Sequence, residues 1–219
     1  YIAAWITATS HHPVGTNVFD LEWDTLILLD TCRVDALREV ALEYDFLNDV
    51  GSILSVGSTS NEWIANTFTE DYRSEIRRTA YVTSNANAET VLVDDVYPEV
   101  HLSGKRHPPA MRTPNYVGPD DLLLLDQVWK YNPDETPGHV HPKHLTDRAI
   151  SVGREYQPDR LIVHYSHPHV PYVADAISEN RELYDYEKDP IGALLNGEDF
   201  NKVWEAYLNK LRFALEEVE

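Results

Sequence analysis

Two short stretches of this chain are apolar without alternation: Thr25 to Asp30, reading Thr-Leu-Ile-Leu-Leu-Asp, and Arg160 to Tyr165, reading Arg-Leu-Ile-Val-His-Tyr. A strand with apolar residues at consecutive positions has no face that can meet water. It belongs in a parallel sheet covered on both sides. Around these runs the period changes to that of a helix. Val34, Leu37, Val40, Ala41 and Tyr44 share one face and predict a helix over 33–44. Ser52 to Val56 reads as a second strand, and Gly57-Ser58-Thr59-Ser60-Asn61-Glu62 reads as the opening of a helix reaching about Phe68. Thr79 to Thr83 reads as a third strand. The stretch 85–115 is turn-rich and receives no assignment. Residues 120–131, with the run Leu122 to Leu125, read as a helix, 132–143 as a Pro/His/Gly loop, and Leu145 to Tyr156 as a further helix. After the strand at 160–165, residues 166–198 read as irregular and acidic. Phe200, Val203, Trp204, Tyr207, Leu208, Leu211, Leu215 and Val218 then form a long helical stripe. Strands alternating with helices predict a single α/β domain over 1–219: a doubly wound, mainly parallel sheet with helices on both faces, led in by an arm at 1–23.

Composition narrows the function classes. The chain has 219 residues, and none of its apolar runs approaches the roughly 20 residues that span a bilayer. One cysteine, Cys32, excludes an internal disulfide framework and a Cys-based zinc ribbon. Asp and Glu number 37 against 18 Lys and Arg, for a formal net charge of -19. That deficit argues against a nucleic-acid partner, because phosphate contacts need bases. A Lys-poor, carboxylate-dense surface of this kind suits concentrated salt, which screens its self-repulsion. The chain opens at Tyr1 with Met111 as its one methionine, so a processed or partial product is expected. With no signal-like segment in view, the expected location is cytoplasmic.

In open α/β sheets the site lies beyond the carboxyl ends of the strands. Asp30 closes the first strand there, Ser58, Thr59 and Ser60 follow the second, and His164, Ser166, His167 and His169 follow the fourth. A carboxylate with imidazoles suits a divalent metal such as Zn, Mn or Mg. A hydroxyl at a helix N-terminus sits in a positive field beside free N–H groups, a natural place for phosphate and for a Ser or Thr nucleophile. The bland readings are a helix cap for Thr59 and a polar strand end for Asp30. Cys32 reads as an inert thiol. His139, His141 and His144 read as solvated surface, and the leucine run as core.

The stretch Trp23 to Leu37, with Asp30 after the strand and Arg33-Val34-Asp35 behind it, resembles the opening of the alkaline phosphatase superfamily in its sulfatase-like branch. Gly57 to Glu62 is similar to the nucleophile turn of the phosphoglycerol transferases in that superfamily. His164 to Tyr172 resembles its Pro-His-x-Pro-Tyr element. The resemblance implies an alkaline phosphatase-like fold, with Asp30 and Thr59 as metal ligands and Thr59 as nucleophile. Ser58 and Ser60 stand behind Thr59, and His167 and His169 would bind substrate. Arg33 is the remaining substrate-binding candidate, although it begins a helix beside Asp35 and Glu62.

The resemblance further implies a metal-dependent hydrolase or transferase. It would act on a small-molecule, glycan- or lipid-linked phosphate ester through a covalent phosphothreonine. Two departures qualify it. The nucleophile turn has no cysteine, which disfavours a formylglycine sulfatase. The family's Asp-His-Gly metal motif does not occur by Glu219, so the resemblance covers an amino-terminal part or a degenerate member. The rival readings are a sulfatase-like sulfuric ester hydrolase and a non-catalytic relative that binds an anionic glycan or a partner.

Overall fold

The computed structural model describes residues 15–47, 49–96, 100–102, 105–107, 115–131 and 140–219. The first fourteen residues of the lead-in arm, most of the 132–143 loop with His139, and Met111 lie outside the described residues.

Four strands form one sheet: β1 (Thr25–Leu29), β2 (Thr79–Thr83), β5 (Leu124–Gln127) and β6 (Arg160–Tyr165). Their order is β1-β6-β2-β5, and every pairing is parallel. A separate antiparallel pair joins β3 (Val100–Leu102) to β4 (Lys105–His107). The unbroken apolar runs do what two-sided burial demands. Leu26, Leu28, Tyr81, Leu125 and Ile162 point to one face, where Ile64, Ala65 and Phe68 cover them. Ile27, Leu29, Ala80, Val82, Leu124, Val163 and Tyr165 point to the other, against Leu145, Ala149 and Val152.

The first covering helix is α2 (Ser60–Thr67); the second is α4 (Pro142–Tyr156). Leu145 and Val152 are wholly buried, so truncating Leu145 to Ala costs about 2–5 kcal/mol. The predicted 33–44 helix is α1 (Val34–Val40) followed by a 3-10 turn, Ala41–Glu43. It packs on the long last helix, α8 (Phe200–Leu215), through Ala36, Val40, Tyr207, Leu208 and Leu211. Val218 lies beyond that helix and joins the second face instead. The described residues also hold four shorter α-helices: α3 (Arg73–Ile76), α5 (Ala174–Ser178), α6 (Asp185–Lys188) and α7 (Pro190–Leu195).

Three local expectations are corrected. Residues 120–131 contain a strand, β5, and not a helix. Leu124 and Leu125 go to opposite faces of the sheet, and the Leu123 N–H donates to the Thr79 carbonyl, extending the ladder. A run of four leucines bounded by Asp121 and Asp126 is too short for its period to choose helix over strand. Ser52 to Val56 is not a strand. Ile53 and Leu54 are about 60 % exposed, and the segment's backbone partner among the described residues is Thr16, which donates to Leu54. Ile53 and Leu54 find no sheet face among the described residues, and only Val56 of the segment's apolar side chains is buried. The 166–198 stretch is acidic as expected, but it holds α5, α6 and α7. Glu187 organises them: fully buried, it accepts from Arg181 through both oxygens at 2.7 Å and from the Tyr184 N–H. Among the described residues no helix is long and apolar enough to cross a membrane.

Candidate functional site

Parallel register brings the strand ends to a common rim. Leu29 pairs with Tyr165, and Thr83 with both His164 and Gln127, so Asp30, Ser84 and Ser166 follow side by side. The Asp30 N–H donates to the Tyr165 carbonyl at 3.0 Å. Ser84 and Ser166 tie the next two ends together, their hydroxyl oxygens 3.0 Å apart.

Immediately past Asp30, Thr31 adopts a φ of 64°, in the left-handed region. A β-branched residue there carries strain of about 1–3 kcal/mol, and such strain gathers at functional sites. Tyr207 of α8 steadies the turn: its hydroxyl donates to the Thr31 carbonyl at 3.0 Å and accepts from the Arg33 N–H at 2.9 Å.

The Ser58-Thr59-Ser60 turn arrives at this rim because Gly57 lets the chain turn tightly into α2. A Cβ at Gly57 would lie 2.3 Å from the Trp63 nitrogen. The three hydroxyls have separate partners. Ser58 donates its hydroxyl and its N–H to Glu62 Oε2, at 2.5 Å and 2.9 Å. Thr59 is the N-cap, its Oγ1 accepting from the Glu62 N–H at 3.3 Å. Ser60 donates to Asp30 Oδ1 at 3.0 Å, and Asn85 Nδ2 donates to Asp30 Oδ2 at the same distance. Thus it is Ser60, rather than Thr59, that hydrogen-bonds to the strand-end carboxylate.

The histidines divide. His164 is buried beneath the rim, its ring parallel to Tyr81 and edge-on to Trp63, with Nδ1 2.7 Å from the Tyr81 hydroxyl. Burial pushes its pKa down to about 4, against the pull of Asp30. It is therefore neutral at pH 7 and shares a hydrogen bond with the hydroxyl of Tyr81, whose own pKa burial raises. His167 is buried with its ring 5.9 Å from that of Phe213 in α8. His169 is exposed, its Nδ1 2.9 Å from the Val170 carbonyl oxygen.

Arg33 lies flat against Asp35, donating through Nε at 2.9 Å and through a terminal nitrogen at 2.6 Å; its guanidinium also rests over Trp204. Cys32 is half-buried, and burial raises its thiol to about 11, as an inert thiol requires. His141 caps α4, accepting from the Lys143 N–H at 3.2 Å.

Two residues at the rim were absent from the sequence expectations. Asn85 follows the end of β2, where the strand-end rule points, although its segment received no assignment. Lys210 interrupts the apolar stripe of α8. It is 2 % exposed, donates to the carbonyl oxygens of His169 and Pro171, and lies in the field of Asp30. Burial pushes its pKa down to about 7. A lysine on the buried face of an amphipathic helix, three residues after Tyr207, is a signal the sequence already carries.

No group of three or more His, Cys, Asp and Glu side chains among the described residues is placed to hold a metal ion. Around Asp30 stand the Ser60 hydroxyl and Asn85, whose Nδ2 faces the carboxylate and whose Oδ1 accepts from the Asn87 N–H, so the ligand-type atoms there are the oxygens of Asp30 and Ser60. Oxygen donors are of the kind hard cations such as Mg or Mn take, whereas zinc favours imidazole and thiolate. Comparison with known protein families, with curated proteins and with solved structures gives no match.

Proposed function

We propose that the carboxyl rim of the sheet is the active centre of an alkaline phosphatase-like hydrolase or transferase acting on phosphate esters, with Ser60 as its nucleophile. The hydrogen bond from Ser60 Oγ to Asp30 Oδ1 carries this reading. A hydroxyl attacks phosphorus only as its proton leaves, and a carboxylate at hydrogen-bond distance is the acceptor that step needs. The Ser60 oxygen bonds to phosphorus, its proton passes to Asp30, and the bond to the leaving oxygen breaks with its electron pair. Water or a second alcohol then takes the phosphoryl group from the serine.

Around this step the chain supplies a field. The first-turn N–H groups of α2 that Thr59 does not cap place positive potential where phosphoryl oxygens would lie. A bound divalent cation would lower the proton affinity of the hydroxyl and screen the phosphoryl charge, with Asp30 and Ser60 as its protein ligands. Thr59, the nucleophile that the resemblance implies, keeps the cap and helps to orient Ser60. Exposed His169 is the imidazole available to a substrate.

Hydrolysis of nitrophenyl phosphate mono- and diesters in Mg or Mn buffers of high ionic strength tests the reading. Ser60→Ala is expected to lower kcat/KM about a thousandfold. Full activity in that variant, or a preference for nitrophenyl sulfate over both phosphates, would overturn it.

A further inference from the structure

Lys210 is the one lysine or arginine among the described residues that is buried. The buried carboxylates among the described residues are matched by opposite charge. Glu187 holds Arg181 at 2.7 Å, and Asp126 meets Arg148 at 2.6 Å. Lys210 has no carboxylate within ion-pair distance among the described residues; its ammonium donates to the carbonyl oxygens of His169 and Pro171. An ammonium held in the interior by dipoles alone carries a desolvation penalty that a methionine in the same stripe would not. Stability of the α8 packing therefore does not explain a lysine there.

The position of its acceptors does. The two carbonyls flank Val170 in the loop that leaves β6 and carries His169. On its far side that loop is tied down by the Tyr172 N–H, which donates to the Glu187 carbonyl at 2.9 Å. Without Lys210, the near side would keep two inward carbonyls with no donor. Asp30 is the charged group whose field reaches the ammonium. The loop leaves β6 just after Tyr165, whose carbonyl accepts from the Asp30 N–H at 3.0 Å, so loop, lysine and strand-end carboxylate form one neighbourhood.

We infer that Lys210 is a positioning residue, which grips the carbonyls of His169 and Pro171 and so sets the His169 loop against the rim that holds Asp30 and Ser60. The catalytic part of this inference rests on the proposed function; the grip on the loop does not.

The test compares wild type, Lys210→Met and Lys210→Arg in the full chain. In Lys210→Met, amide exchange at His167, His169, Val170 and Tyr172 is expected to rise about tenfold or more while the amides of β6 keep their protection. The imidazole resonances of His169 shift in the same variant. Phosphate-ester turnover falls about tenfold in kcat with KM little changed, as misplacement of a positioned group predicts. Lys210→Arg, which keeps the donors, returns all three readouts toward wild type. If Lys210→Met does not fold, Lys210→Gln serves in its place. Unchanged loop exchange and unchanged His169 resonances in a folded neutral variant would overturn the inference. A chain inert toward phosphate esters whose loop still loosens would refute the proposed function and leave the grip of Lys210 standing.

Discussion

At the amino end of the sheet Arg78 meets Asp159 at 2.9 Å, and Arg160 lies over the rings of Trp23 and Phe19. At the carboxyl end Asp30 is held by the neutral donors Ser60 and Asn85, and Lys210 by two neutral carbonyls. The amino end also opens into a cleft of about 520 Å³ lined by Glu22, Trp23, Asp24, Glu75, Arg78, Asp159 and Arg160. That cleft and the Asp30 rim lie at opposite ends of the sheet. In the cleft the bases already face acids or rings in open solvent, where pairing is weak and screened. At the carboxyl rim an acid and a base are each satisfied by neutral dipoles in a drier setting rather than by opposite charge. The contrast favours the rim as the place of the proposed chemistry, in keeping with where ligands bind in open parallel sheets.

Four changes would break or sharpen the contrast. Asp30→Asn keeps the shape of the side chain and removes the proton acceptor. It should lower kcat/KM by about a hundredfold or more, measured by nitrophenyl release, with the far-ultraviolet circular dichroism unchanged.

The second change concerns pH. His164 is neutral in the folded protein down to about pH 4, whereas the unfolded chain takes up its proton near 6.5. Stability from this group is fully present above pH 6.5 and is lost as pH falls toward 4. Between pH 7 and pH 5 the loss should be about 2 kcal/mol in urea unfolding. His164→Asn should show a correspondingly smaller pH dependence; an equal slope in both proteins would remove the buried histidine from beneath the rim.

Smaller effects follow. Thr59→Ala removes the cap of α2 and should lower stability by about 1 kcal/mol, with activity falling far less than in Ser60→Ala. At the opposite end, Arg78→Ala breaks a pair whose two side chains are each 59 % exposed. It should change stability by under about 1 kcal/mol and activity not at all. An activity loss in Arg78→Ala matching that of Asp30→Asn would erase the distinction between the ends.

The parallel sheet was legible because two-sided burial leaves an unmistakable mark: consecutive apolar residues at 25–29 and 160–165. The cap at Thr59 was legible because capping is local chemistry. β5 was misread because four leucines span about one helical turn and about two strand repeats, so only the neighbouring strand could decide. Ser52 to Val56 failed for the same reason in reverse: a strand-like composition met no strand to pair with. The rim was half legible. The strand-end rule marked Asp30, but it reached the hydroxyl turn only through a strand at 52–56 that does not form, and which of three adjacent hydroxyls bonds to Asp30 depends on how Gly57 turns the chain. Lys210 lies 180 residues from Asp30 in sequence, and only the packing of α8 brings it into that carboxylate's field.

The account is tested most directly by quenching the protein during turnover of nitrophenyl phosphate and mapping the phosphoryl group by peptide mass spectrometry. It predicts a phosphate on Ser60 that forms in wild type and is absent from Ser60→Ala. A phosphate on Thr59, or turnover with neither residue labelled and Ser60→Ala fully active, would contradict it.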